Sequence, residues 1–297
     1  MRVAVVGLGG VGGYLAANFA KAGLDVIGFA RGEHLNAIQT NGIQIEEDNE
    51  CWSVKLDARS EDELDGFFDG YFDVVFFCVK SYDLEESFQH IKSHIDEDTV
   101  VLSFSNGVSN GDVLRKLCDS VVLDGCVYIL SHIQEAGIIR RKGEVFAALF
   151  GSDSKGVEKV SEIFKKSSLR YKTQSDIKTA IWKKYIFISA FATATSYYDK
   201  SIGYVYENYK SDIENLLKEI ADVANKKGID IYDEVEKSLV TASKVPYDSS
   251  TSMHLDFQNK KRVELDSLSG YIVQEGQKYD VQTPVMNKMY STLKDRI

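Results

Sequence analysis

A chain of 297 residues with 44% hydrophobic and 27% charged side chains has the composition of a globular protein with room for two domains, not that of a disordered segment. The formal net charge of −10 opposes phosphate backbones and excludes general nucleic-acid binding, although a small anion could still be held by local positive groups. The four cysteines, Cys51, Cys78, Cys118 and Cys126, form no C-x-x-C pair, so neither disulfides nor a structural zinc site is expected, and no metal is assigned.

Met1-Arg2 leads straight into a strand, "RVAVVG", without the charged and apolar regions of a signal peptide. A glycine run follows and opens a helix over Gly12–Ala22. "DVIGFA" reads as a second strand and "EHLNAIQTNG" as a short helix ended by glycine. "IQIEED" and "WSVKLDA" read as an edge hairpin. "DVVFFCVK" is a buried strand, "DLEESFQHIKSHI" a helix, "TVVLSFS" a strand and "NGDVLRKLC" a helix. "VVLDGCVYIL", "GIIRRKG" and "VFAALFG" add strands. Strands alternating with helices predict βαβ units and a mostly parallel, Rossmann-type sheet, an α/β fold class.

The pattern changes after "VEKVSEIFKKSSLRYKTQ": from Asp176 onward only helices are predicted, at Lys178–Tyr198, Glu207–Lys227, Glu234–Ser243 and Val263–Tyr279. A boundary near Thr173 divides a dinucleotide-binding domain (1–173) from an all-helical domain (174–297). The most apolar stretches, "DVVFFCV" and "YIFISAFATA", are too short to cross a bilayer, so a cytoplasmic protein without membrane partners is expected.

Gly7-Leu8-Gly9-Gly10-Val11-Gly12 matches G-x-G-x-x-G between a strand and a helix, the context that gives the motif meaning. Gly7 permits a tight turn, Gly9 lets the backbone approach a pyrophosphate, and Gly12 allows close helix–sheet contact. The diphosphate would sit at the helix N-terminus, where amide N–H groups and the dipole favour negative charge. At the end of the second strand, where an NAD enzyme often carries an acid for the ribose hydroxyl, this chain has Arg31, which favours a 2′-phosphate and hence NADP(H). Glu33 remains able to reach a ribose, and Arg31 read on its own is also compatible with a plain surface charge.

Lys80 and Asn106 emerge at the carboxyl ends of buried strands, where open α/β sheets bind ligands. Lys80 adds charge near a phosphate, and Asn106 can bond the nicotinamide ribose or a substrate; Asn-Gly is equally an ordinary turn. In the helical half, Lys184 opens an apolar face continued by Ile188, Phe191, Ala192 and Thr195. Such a lysine either does chemistry or snorkels to water. Glu264 and Asp266 fall in the first turn of a predicted helix, where dipole complementation alone would account for acids.

With these pieces in order, "ARGEHLNAIQTNGIQI", "CVKSYD", "SNGV", "IWKKY" and "SM…D…KR-VELD" included, the chain resembles the ketopantoate reductase (2-dehydropantoate 2-reductase) family along nearly its whole length. The resemblance implies NADPH-dependent reduction of 2-dehydropantoate to pantoate, in pantothenate biosynthesis, with the helical domain closing over the nicotinamide. It places the proton-donating lysine at Lys184, the active-site glutamate at Glu264, the cofactor asparagine at Asn106 and a substrate serine at Ser252. It also implies that two copies can pair through the helical domain. Four positions depart from the family's usual asparagines: Ile188 and Ala192, one and two turns beyond Lys184, together with Ile202 and Ser249. Two alternatives therefore stand beside ketopantoate reduction: a reductase for a less polar 2-oxo acid, and a catalytically impaired NADP(H)-binding sensor.

Overall fold

Runs with no polar side, such as "VAVV" of the first strand and "VVFF" of the central one, are buried on both faces, as parallel strands covered by helices must be. A computed structural model describes residues 1–151 and 154–297. The chain divides into two compact units, Met1–Ser105 with Ser109–Ile177, and Asn106–Val108 with Lys178–Ile297. Among the described residues no helix is long and apolar enough to cross a membrane.

The first unit runs β1 (Arg2–Val6), α1 (Gly10–Lys21), β2 (Asp25–Phe29), α2 (Gly32–Asn41), β3 (Ile43–Glu46), β4 (Cys51–Val54), β5 (Asp57–Arg59), α3 (Leu64–Phe67), β6 (Val74–Phe77), α4 (Leu84–Ile91), β7 (Val100–Ser103), α5 (Asn110–Leu117), β8 (Val121–Glu135), β9 (Ile138–Gly151), α6 (Ser154–Lys166) and β10 (Tyr171–Gln174). The strands form one 10-stranded sheet in the order β4-β3-β9-β8-β7-β6-β1-β2-β5, with β10 beside β9. Within it, β5-β2-β1-β6-β7-β8 is the parallel 3-2-1-4-5-6 arrangement of dinucleotide-binding folds. Among the described residues only β3–β4 and β8–β9 pair antiparallel. One face buries Val5, Leu15, Phe19, Phe76 and Phe164, and the other buries Phe29, Phe72, Phe77 and Phe88.

The predicted Rossmann-type sheet is present, with local differences. The stretch "WSVKLDA" is not one strand: β4 pairs with β3 at one edge of the sheet and β5 pairs with β2 at the other. "GIIRRKG" and "VFAALFG" are one continuous strand, β9, whose register against β8 shifts between Ile129 and Ser131 and again between Ile133 and Glu135. These bulges let two long strands stay paired while twisting strongly.

The second unit runs α7 (Ile177–Tyr198), α8 (Ile202–Asn208), α9 (Lys210–Lys226), α10 (Asp233–Ala242), α11 (Ser252–Gln258), a π-helical stretch at Asp266–Gly270, α12 (Tyr271–Lys278) and α13 (Pro284–Lys294). The helix expected at Glu207–Lys227 breaks at Tyr209, whose φ is −131°. The Tyr209 ring stacks on Tyr198 with centroids 3.6 Å apart, a tertiary contact that outweighs helix propensity. The sequence reading missed α11 and α13. Pro284 occupies the first turn of α13, and its Val285 and Met286 N–H groups donate to the buried Glu219 carboxylate of α9 at 2.9 and 2.8 Å. Burial raises the pKa of Glu219.

Packing at the glycine turn is tight at Gly12, where an added Cβ would lie 2.1 Å from the Gly7 carbonyl oxygen and 2.8 Å from the Cys78 Cβ. At Gly9 it would meet nothing within 4 Å. Gly12→Ala is therefore expected to lower stability by about 1–3 kcal/mol, the scale of overpacking, and Gly9→Ala to leave the fold intact. Thermal unfolding of both variants checks this; equal midpoints would contradict it.

Candidate active site

The glycine turn sits where the strand order reverses, between β1 and β6. Gly7 has φ +91°, a conformation that favours glycine, and the turn is held by Gly7 and Leu8 N–H donating to the Phe29 carbonyl at 3.1 and 3.0 Å. Gly9 is extended and puts no side chain over the first turn of α1, where the N–H groups have no partner within the helix. That cradle fits a diphosphate. Gly10 makes a close approach that the motif does not announce: a Cβ there would lie 2.4 Å from the Ser131 carbonyl oxygen of β8. Val11 is half-buried and packs against the core beneath the turn.

His34 of α2 also holds this turn, and the sequence reading missed it. Gly137 N–H donates to its Nδ1 at 2.9 Å, so Nε2 carries the hydrogen and donates to the Leu8 carbonyl at 2.8 Å. This ring works only as the neutral tautomer, and burial keeps its pKa below the ordinary histidine value.

Arg31 follows β2 as the N-cap of α2, and Glu33 lies exposed in that helix's first turn. The Arg31 guanidinium is exposed, with Nη2 3.4 Å from Asp83 Oδ2. Lys80 precedes the 3₁₀ turn Ser81–Asp83 after β6, and its carbonyl accepts from Asp83 N–H at 2.9 Å.

In the second unit, α7 is buried along most of its length, from Trp182 to Ser196. Lys184 is half-buried, and its Nζ donates to Asn106 Oδ1 at 3.1 Å. Asn106 comes from the short segment Asn106–Val108 that groups with the helical unit while its flanks belong to the other. Gly107 allows that excursion at φ +121°. The structure thus brings together two of the predicted residues that lie 78 positions apart.

The next residue of α7, Tyr185, braces the approach to Glu264. Its hydroxyl donates to the Leu268 carbonyl at 2.6 Å, with the Ser267 carbonyl at 3.0 Å, and Ser189 Oγ donates to Leu268 at 2.7 Å. These carbonyls lie in the π-helical stretch, where side-chain donors from α7 add to the irregular backbone bonding. Burial pushes the Tyr185 pKa up, keeping it a neutral donor. Glu264 lies just before that stretch, its carbonyl accepting from Leu268 N–H at 3.1 Å, and the residue is only 3% exposed. Dipole complementation does not explain so buried an acid. It does suit exposed Asp266, which accepts from Tyr290 Oη at 2.6 Å.

Ser252 is the exposed first residue of α11. The cap is the preceding Thr251, whose Oγ1 accepts from His254 N–H at 3.3 Å and bonds Thr195 Oγ1 at 2.8 Å. Ile188 is half-buried, Ala192 and Ile202 are buried, and the half-buried Ser249 accepts through its carbonyl from Ile202 N–H at 2.8 Å.

The family model described as ketopantoate reductase PanE/ApbA matches residues 3–152, and its C-terminal counterpart matches residues 176–296. The chain is 27% identical to the uncharacterized oxidoreductase YkpB of Bacillus subtilis, over 99% of this chain and 98% of that protein. It is also 27% identical to the 2-dehydropantoate 2-reductase of Archaeoglobus fulgidus, over 96% and 94%. The crystal structure of a PanE/ApbA family ketopantoate reductase from Ralstonia eutropha superposes with a TM-score of 0.92 at 27% identity, covering 100% of this chain and 98% of that one.

The His34 bridge carries a pH prediction. A histidine whose folded pKa lies below its unfolded value leaves stability intact above the unfolded pKa and costs stability as pH falls below about 6.5. Dinucleotide affinity is expected to weaken over the same range, because protonated Nδ1 confronts the Gly137 N–H. His34→Gln should flatten that part of the profile. An unchanged pH dependence of binding in the variant would contradict the role.

Proposed function

The chain belongs to the ketopantoate reductase family, and on that premise we propose that it reduces 2-dehydropantoate to pantoate with NADPH. It is accordingly an oxidoreductase acting on CH–OH groups, and the family is NAD(P)H-dependent. The observation that carries the reading is Lys184, an ammonium on a helix buried along most of its length, aimed by a 3.1 Å hydrogen bond to Asn106.

Bound in the glycine turn, the dinucleotide supplies the hydride that adds to the ketone carbon. The chain's own residues do the rest. Gly7–Gly12 and the α1 N-terminus hold the diphosphate, Lys80 adds positive charge beside it, and Arg31 faces the 2′-phosphate. Lys184 donates a hydrogen bond to the ketone oxygen, polarises it and passes its proton there, giving the hydroxyl of the 2-hydroxy acid. Asn106 fixes the direction of the ammonium. Glu264 orients Lys184 or a substrate hydroxyl, and Ser252 binds substrate. The same reading places the protein in the cytoplasm, in pantothenate biosynthesis, as a homodimer.

A less polar 2-oxo acid is the second reading, favoured by the hydrocarbon of Ile188 and Ala192 one and two turns beyond Lys184. Each lost polar partner costs about 1–3 kcal/mol of recognition. NADPH oxidation with ketopantoate and with 2-oxo acids bearing plain alkyl or aryl side chains separates the readings. Ketopantoate is expected to give the highest kcat/KM. A tenfold or greater preference for an alkyl or aryl acid would replace it by the second reading, and NADPH binding with no turnover of any 2-oxo acid would leave a sensor.

A further inference from the structure

We propose that Asp83 sets the cofactor preference of this chain by competing with the cofactor's 2′-phosphate for Arg31. The proposal rests on the reading above that Arg31 faces that phosphate. Strands β2 and β6 flank β1 on opposite sides, so the residues that follow them meet across the glycine turn. Arg31 follows β2 and Asp83 ends the 3₁₀ turn after β6.

The two partners are unequal. The Arg31 side chain is 73% exposed and Asp83 only 16% exposed. The acid is the fixed partner and the guanidinium the movable one. Their separation of 3.4 Å exceeds the roughly 2.7–2.9 Å of a strong charge-assisted hydrogen bond. The contact is loose enough to exchange and close enough to be felt.

The neighbourhood has the same character. Arg59, paired in register with Phe29 at the end of β5, holds Asp57 at 2.7 Å. The half-buried Glu61 lies in the field of Arg31 and accepts from Ser87 Oγ at 3.3 Å. Both guanidinium groups at this end of the sheet already have carboxylate partners.

A dianionic 2′-phosphate must therefore draw Arg31 from Asp83 and also sit near a carboxylate that repels it. A 2′-hydroxyl meets neither penalty. Asp83 thus weakens NADPH selectively and narrows its margin over NADH.

The test is the dissociation constants of NADPH and NADH, with 2′,5′-ADP as a competing probe, at one low ionic strength. The proteins are the parent, Asp83→Asn, Arg31→Ala and the double variant. Asp83→Asn is expected to tighten NADPH and 2′,5′-ADP about fivefold, the scale of one exposed ion pair, and to leave NADH within about twofold. The gain should shrink when Arg31 is absent and when salt is raised. Asp83→Ser removes the same charge with a different shape, and thermal unfolding of each variant guards against misfolding. If Arg31→Ala weakens NADPH while both Asp83 variants leave it unchanged or weaker, Asp83 is not the competitor and the proposal is overturned. If Arg31→Ala leaves NADPH unchanged, the reading of Arg31 itself falls, and the proposal with it.

Discussion

The glycine turn depends on a contact that only hydrogen can fill. The start of α1 rests on the end of β1 because residue 12 has no side chain, with the Gly7 carbonyl and Cys78 already where a Cβ would be. With any other residue there the helix would lift off the sheet. The N–H groups of its first turn would then no longer converge beside the β1–β6 switch point. The turn at Gly7, the open space at Gly9 and the His34 bridge to Leu8 all presuppose that seating.

The second unit solves a different problem, that of holding polar groups inside an apolar helical core. Buried polar groups need partners, and α7 supplies them as hydroxyls: Tyr185 and Ser189 to Leu268, Thr193 to Ser269. These bonds secure the π-helical stretch that begins two residues after Glu264. Lys184 precedes Tyr185 on the same helix, so one element fixes both the proposed proton donor and the backbone that carries its acid. The loop bearing Asn106 groups with this unit, which gives the Lys184 ammonium a defined direction.

Much of this was legible in the sequence, because the relevant signals are local. The strand–glycine–helix pattern announces the dinucleotide turn, Arg31 is read from its place after β2, and the lysine on an apolar face marks α7. What escaped depends on distant main-chain partners. His34 bonds Leu8 and Gly137, 26 and 103 positions away, and Tyr185 reaches carbonyls 82 and 83 positions on. No spacing rule encodes such pairs. The split of "WSVKLDA" between opposite sheet edges was hidden because an edge strand of three residues has too short a period to read. The π-helical stretch was likewise invisible, since its hydrophobic pattern differs little from that of an α-helix.

Everything in the catalytic account passes through one ammonium. Its most direct test is Lys184→Ala, with kcat measured on whichever 2-oxo acid the parent turns over and NADPH affinity measured alongside. The account predicts that kcat falls by roughly two orders of magnitude or more, the scale of losing a general acid, while NADPH binds as before. Near-parental turnover would contradict it and return Lys184 to the role of a helix lysine reaching for water.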